Sequence, residues 1–222
     1  MPVLAELDPQ LDFEEFERRA GQALQHETIR ATARRAVEAA RRLCRPAIAY
    51  EWLPVHDQGP KSFGLGPIEL HPGSHANLMQ QAVLAVACVC TIGRDLEDEA
   101  KQMIAAGQTL EGYLLGEAGV LAVDTAMGRV RLMAEQEAAG RGWGVGAELA
   151  PGQLAGWRLT DQKLLCSLLD LASIGVTLTD SGMLQPQKSA SLLIGIGPGY
   201  TSSTVISPCE FCSNRDTCSY RH

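Results

Sequence analysis

Residues 148–197 constrain the fold most, because these 50 residues place a turn, a helix and two short strands in a definite order. The turn lies at 150–152, where proline presets φ and glycine adopts backbone conformations that other residues resist. The pattern predicts a helix over 160–173, whose first residue, a threonine, is a good N-cap. A strand that alternates in polarity follows at 176–179, and an apolar strand at 192–196.

The remaining patterns complete a prediction of the α+β class. Residues 8–45 carry apolar side chains three and four apart, which predicts helix that stops just before Pro46. Residues 82–90 are wholly apolar and predict a buried central strand. Residues 110–138 are rich in alanine and glycine, whose small size lets other backbones approach, so they predict a central buried helix. We also expect strands at 47–55 and 68–70, a loop over 56–73, a helix at 95–106 and a flexible lead at 140–144.

These elements divide the chain into three parts. With 222 residues it is long enough for one sizeable domain and an appended helical segment. We expect an N-terminal helical segment at 1–46, an α+β domain at 47–206 and a cysteine-rich tail at 207–222.

Composition narrows the choice of partner. The formal charge of -7 and an aromatic content of 5% argue against a nucleic-acid partner, which needs a basic surface and stacking rings. The N-terminus is short and soon acidic, unlike a signal peptide, and the longest apolar run is about half of a membrane span. We therefore expect a cytoplasmic protein that acts without a membrane or nucleic-acid partner.

The tail carries a possible metal-binding pattern, C-x2-C-x5-C, formed by Cys209, Cys212 and Cys218. Seven cysteines, an odd and clustered set, fit a reducing compartment with a metal site better than a disulfide framework. Three thiolates suit an iron–sulfur cluster with one other ligand, or zinc completed by His222 or a distant cysteine. A redox-active dithiol and an unoccupied tail are the alternatives.

Several short motifs occur in the order found in one known family. They are Pro151-Gly152, Ile174-Gly175-Val176, Leu178-Thr179, Ser181, Pro186, Lys188-Ser189 and Ser191. The order resembles the activation domain of cobalamin-dependent methionine synthase, and more closely the free-standing proteins that carry such a domain. That family has a Pro-Gly-Tyr turn, a helix, an IGVxLTxS strand, a PxxS segment and an apolar strand.

The resemblance implies a fold and a function. The implied fold is α+β, with an antiparallel or mixed sheet packed by long helices. The implied function is that of an accessory to a corrinoid-binding protein or methionine synthase, supporting reductive remethylation with S-adenosylmethionine, so cobalamin and S-adenosylmethionine are the implied ligands. The alternative is a non-catalytic small-ligand-binding or sensor module with a structural zinc or iron–sulfur tail. No catalytic motif occurs in the chain, so no catalytic residue is assigned.

The resemblance also implies a ligand site, from which this chain departs at two positions. The implied residues are Glu111, Tyr113, Glu148, Ala150, Pro151, Gly152, Gln153, Lys188, Ser189 and Ser191. In the family an arginine before the turn and a tyrosine after it help to hold S-adenosylmethionine; here Glu148 or Leu149 and Gln153 stand there. A glutamate would repel the carboxylate that a guanidinium pairs with. Either Trp157 and Arg158 replace the missing pair, or the turn survives as scaffold and the pocket is repurposed.

Overall fold

The computed structural model describes residues 2–5, 7–154 and 156–211 of the chain. The strands are β1 (Val3–Leu4), β2 (Ala47–His56), β3 (Phe63–Leu65), β4 (Ile68–Leu70), β5 (Leu84–Thr91), β6 (Gly144–Leu149), β7 (Thr177–Leu178), β8 (Leu184–Gln185) and β9 (Ser189–Gly197). The α-helices are α1 (Phe13–Ala20), α2 (Glu27–Leu43), α3 (Asp95–Ala105), α4 (Thr109–Gly140) and α5 (Asp161–Ser167).

Seven strands form one antiparallel sheet in the order β4-β3-β2-β5-β9-β6, with β1 added to the free edge of β2. In the middle, β5 sets Cys88 opposite Tyr50 of β2 and Leu192 of β9. Both faces of β5 are buried, which explains its unbroken apolar sequence. The predicted α+β class and the central strand are confirmed. The hairpin of β7 and β8 stands apart from this sheet.

The long helix α4 lies across one face of the sheet. From Ala118 onward every fourth residue is buried, and all but one are alanine, in the row Ala118, Ala122, Ala126, Val130, Ala134 and Ala138. Its first half packs against α2 and α3, and its second half packs against the sheet. The predicted central helix is therefore confirmed. No helix in the described part of the chain is both long and apolar enough to cross a membrane.

The opposite face of the sheet is covered by α5, by a 3₁₀ segment at Gly73–Met79 and by Trp157. The helix predicted over 160–173 is shorter than expected and ends at Ser167. Around Asp170 the chain bonds locally instead: the Ser173 hydroxyl donates to the Asp170 carbonyl at 2.6 Å, and the Asp170 carboxylate accepts from the Ser173 amide. Such local bonds compete with helix continuation.

Two strands lie at positions for which the sequence predicted no strand. Residues 63–65 form β3, inside the predicted loop over 56–73, and residues 144–149 form β6, beside the predicted flexible lead. The glycines of β6 are explained by packing. An added Cβ at Gly146 would lie 2.8 Å from Cζ of Tyr200, so the tyrosine ring needs the space that glycine leaves.

Candidate functional site

A cavity of about 520 Å³ opens between α4 and the β6 edge of the sheet. Val120, Val123 and Met127 of α4 supply its apolar wall. The segment after β9 closes another side: the Val205 amide donates to Glu135 of α4 at 2.9 Å, and the Ile206 amide donates to the Gly146 carbonyl at 3.2 Å. The polar wall residues are Arg19, Asp124, Arg131, Glu148, Gln153, Gln187, Lys188, Ser189, Ser207 and Cys209.

A β-bulge in β6 directs Glu148 into this cavity. Val145 pairs with Ile196 of β9, and the next pair is Glu148 with Ile194, so three steps on β6 match two on β9. Side chains alternate between the faces of a strand, and one extra residue reverses the alternation. Glu148 therefore faces α4, as Val145 does. Without the bulge, Ala147 would take that place and Glu148 would point into the apolar core on the other face.

A chain of ion pairs joins Glu148 to the N-terminal helix. Nε of Arg131 donates to Oε2 of Glu148 at 2.6 Å, and the same guanidinium donates to Asp124 at 2.9 Å. Arg19 of α1 donates to Asp124 at 2.6 Å and to Glu15 at 2.6 Å. Asp124 thus lies between two arginines, and both guanidiniums are paired with carboxylates of the protein itself.

These pairs set the ionisation of the site. Burial raises the pKa of Asp124, but the hydrogen bonds and charges of Arg19 and Arg131 outweigh it and hold that pKa below its ordinary value. Burial lowers the pKa of Arg131, and the charges of Glu148 and Asp124 more than restore it, so the net shift is upward. Both groups are therefore charged at neutral pH.

One oxygen of the Glu148 carboxylate is unpartnered. Oε2 accepts from Arg131, whereas Oε1 is buried and has no hydrogen-bond partner among the residues that the structure describes. An unpaired buried carboxylate oxygen is costly, on the order of 1–3 kcal/mol or more for a charged group. This oxygen is the strongest local indication of a ligand in the cavity.

Four of the residues predicted for the ligand site meet at the cavity: Glu148, Gln153, Lys188 and Ser189. The predicted turn also forms beside it. Ala150 and Pro151 are buried, Gly152 has a φ of 81°, and the Gln153 amide donates to the Ala150 carbonyl at 3.2 Å. The turn therefore places Gln153 on the cavity wall, whereas Ala150, Pro151 and Gly152 do not line the cavity.

The other predicted residues lie elsewhere. Glu111 is near the start of α4, away from the cavity wall, and Tyr113 is 59% exposed beside a separate groove. Ser191 lies on the opposite face of the sheet, where its hydroxyl donates to Oε1 of Gln162 at 2.8 Å. Trp157 is buried in the core on that same face and donates to Asp161. It does not line the cavity.

Sequence reasoning missed Arg19, Asp124 and Arg131 as site residues. Asp124 and Arg131 are seven residues apart on α4, a spacing that places two side chains on one helix face. That spacing, with its opposite charges, was the available indication. Arg19 gave none, because only tertiary packing brings α1 to the middle of α4.

The tail contributes one residue to the described site. Cys209 is half-buried on the cavity wall, at the 3₁₀ turn Pro208–Glu210. The other two cysteines of the predicted metal site, Cys212 and Cys218, lie outside the described residues. Within the described ranges, no group of three or more His, Cys, Asp or Glu side chains is arranged to hold a metal ion.

Comparison with known proteins shows that this chain is similar in fold to a solved structure. No family model and no curated protein matches this chain. Among solved structures, the crystal structure of the MetH reactivation domain bound to AdoHcy is similar, with a TM-score of 0.64. The similarity covers 93% of this chain and 82% of that one, at 15% sequence identity. At this identity the comparison establishes the architecture, and this chain has the α+β fold of the MetH reactivation domain.

Proposed function

We propose that this protein binds an S-adenosyl compound of the S-adenosylmethionine class in the cavity and acts as an accessory to a corrinoid protein. The observation that carries the proposal is the position of the cavity. The cavity lies directly beside the Pro151-Gly152 turn. The protein has the same fold as a domain whose crystal structure contains AdoHcy. The resemblance of the motif between 148 and 197 to methionine synthase activation domains supports the same function.

The size and lining of the cavity suit such a ligand. Its volume of about 520 Å³ falls within the range of small-molecule sites. Val123 and Met127 offer an apolar surface for a purine ring, and Gln153 and Lys188 offer polar groups for a ribose or an amino-acid portion.

Calorimetric titration with S-adenosylhomocysteine tests the ligand. Val123→Trp would fill the cavity, so we expect it to abolish binding, while Lys188→Ala weakens it. The matched control is Leu132→Trp, on the same helix but 51% exposed and away from the cavity wall. Binding that survives in Val123→Trp, or equal losses in the two tryptophan variants, would contradict this site.

A pull-down with corrinoid proteins and a spectroscopic titration with cob(II)alamin test the partner. A shift of the cobalamin spectrum on adding this protein and its ligand is the expected result. If the adenosyl compound binds and no corrinoid protein does, the protein is a small-ligand-binding or sensor module, the second candidate. The observation that favours this second candidate is that the family's arginine and tyrosine are missing, with Glu148 or Leu149 and Gln153 at those positions.

The cysteines near the C-terminus are proposed to bind a metal. We propose that Cys209, Cys212 and Cys218 hold an iron–sulfur cluster that carries an electron to the corrinoid, or a structural zinc. Metal and sulfide analysis of protein purified without oxygen distinguishes the two. Iron with acid-labile sulfide supports the redox function, and zinc alone supports a structural tail. Absence of both metals would rule out each form of the site.

A further inference from the structure

The buried carboxylate of Glu148 is suited to a cationic ligand group. Its side chain is 1% exposed, and only one of its two oxygens is used by the protein. A carboxylate can only accept hydrogen bonds, so any group that satisfies Oε1 must be a donor. Glu148 lines the cavity, so a ligand bound there lies next to this carboxylate.

The nearby guanidiniums are already committed to the protein's own carboxylates. Arg131 is shared between Glu148 and Asp124, and Arg19 is shared between Asp124 and Glu15. Arg18 also pairs with Glu15, so the chain of ion pairs holds three carboxylates and three guanidiniums, and each of these guanidiniums already has a carboxylate partner. A ligand carboxylate placed beside Glu148 would meet another carboxylate and an arginine that is already paired, whereas an ammonium group could donate to the unpartnered Oε1.

The site is built on regular elements. The bulge between Val145 and Glu148 fixes the direction of the glutamate, and the 2.6 Å bond from Arg131 fixes its rotamer. Lys188 is a cationic residue on another part of the cavity wall, and it immediately precedes β9. Its positive charge is one of the causes that lower the pKa of Glu97. A ligand carboxylate, where one is present, is expected on that side of the cavity.

We infer that the cavity selects its ligand by an amino group bound to Oε1 of Glu148, and that a ligand carboxylate is dispensable. This inference rests on the proposed function for the adenosyl portion of the ligand alone. It assigns Glu148 as the specificity-determining residue and amine-bearing adenosyl thioethers, decarboxylated forms included, as the ligand class. The glutamate thereby replaces recognition of an acid with recognition of an amine.

The test compares three ligands on the unaltered protein: S-adenosylhomocysteine, its decarboxylated analogue, which keeps the amine, and its deaminated analogue, which keeps the acid. Loss of the amine should weaken binding about tenfold to a hundredfold, the effect of a charge-assisted hydrogen bond, while loss of the acid changes it less than about threefold. The reverse order, or equal affinities, would overturn the inference.

A variant arm assigns the preference to one residue. Glu148→Gln keeps the shape of the side chain and removes its charge. The ratio of the affinities for the amine-bearing and the deaminated ligands should therefore fall toward one. Glu137→Gln, at an exposed pair with Arg141, is the control and should preserve it. Urea denaturation shows whether Glu148→Gln remains folded, and the ligand comparison on the native protein decides the question if it does not.

A further arm separates this inference from the proposed function. Methioninamide and 3-(methylthio)propionate carry the amine or the acid without adenosine, and NMR can follow Arg131 Nε during their titration. If no adenosyl compound binds but the amine perturbs Arg131, the proposed function and the adenosyl ligand class fail, and the assignment of Glu148 as the residue that binds an amine stands. If adenosyl compounds bind with no preference for the amine, only the inference fails. If nothing binds, both fail.

Discussion

Arg131 and Glu148 form an ion pair at 2.6 Å in which the arginine side chain is 29% exposed and the glutamate only 1%. Removing the arginine alone would leave a buried carboxylate without a counter-charge, which costs about 3 kcal/mol or more. We expect Arg131→Met to lower the free energy of unfolding by about 3 kcal/mol. The double variant Arg131→Met/Glu148→Met should recover most of that loss, because neither charge then remains unpaired.

Urea unfolding of both variants measures this difference. The control is Lys101→Met, which breaks a pair with Glu97 in which the lysine is 63% exposed, and it should change the free energy of unfolding by less than about 1 kcal/mol. A double variant as unstable as Arg131→Met would show that the pair contributes by shape rather than by charge.

Asp124 makes stability depend on pH. Its pKa is lower in the folded protein than in the unfolded chain, so the unfolded chain binds the proton more readily. The contribution is therefore complete above the unfolded-state pKa, near pH 4, and is lost as the pH falls through the lower folded-state pKa. Urea unfolding between pH 2 and pH 6 should show this acid limb, and Asp124→Asn should flatten it. An unchanged slope in Asp124→Asn would assign the limb to other carboxylates.

Gly112 and Gly128 lie on the same helix, α4, and should respond oppositely to alanine. An added Cβ at Gly112 would lie 2.7 Å from the Ala100 carbonyl oxygen of α3, so α3 must move. At Gly128 nothing lies within 4 Å. We expect Gly112→Ala to destabilise by about 1–3 kcal/mol through overpacking, and Gly128→Ala to stabilise by up to about 1 kcal/mol through helix propensity. Thermal and urea unfolding check both, and equal shifts would contradict the close α3–α4 contact.

Ser191 should contribute to stability and Lys188 to ligand binding, so variants of the two should have different effects. The Ser191 hydroxyl donates to buried Gln162, whose amide in turn donates to the Gly182 carbonyl at 2.7 Å. Ser191→Ala leaves the Gln162 oxygen unsatisfied, so it should cost about 1–3 kcal/mol of stability and leave ligand affinity unchanged. Lys188→Ala should instead lower the ligand affinity and leave the free energy of unfolding unchanged. Ligand affinity that falls in Ser191→Ala without loss of stability would return Ser191 to the site.

Patterns that depend on near neighbours were predicted well. The wholly apolar sequence of β5 and the small-residue row of α4 each indicate an element buried on several sides, and both are found there. The end of α2 at Leu43, before Cys44 and Pro46, follows from proline sterics alone. Hydrophobic pattern, residue size and proline sterics act between residues that are close in sequence, so the elements that depend on them can be predicted from one sequence.

The strand β6 was missed because glycine weakens strand propensity, and its reason for being a strand lies elsewhere. It is held by pairing with β9, some fifty residues later in the chain, and its glycines leave room for Tyr200. The Glu148 position was identified in sequence only as a departure from a pattern. Its direction depends on a bulge that no local rule places.

The sequence by itself determined the α+β class, the central strand and helix, and the turn at Pro151-Gly152, since propensity and hydrophobic period are properties of short segments. The tertiary structure alone decided which charges meet. Arg19, Asp124, Arg131 and Glu148 lie on three elements, and their pairing depends on how α1 and β6 pack against α4. Coulombic partners are set by distance in space, and distance along the chain does not predict it.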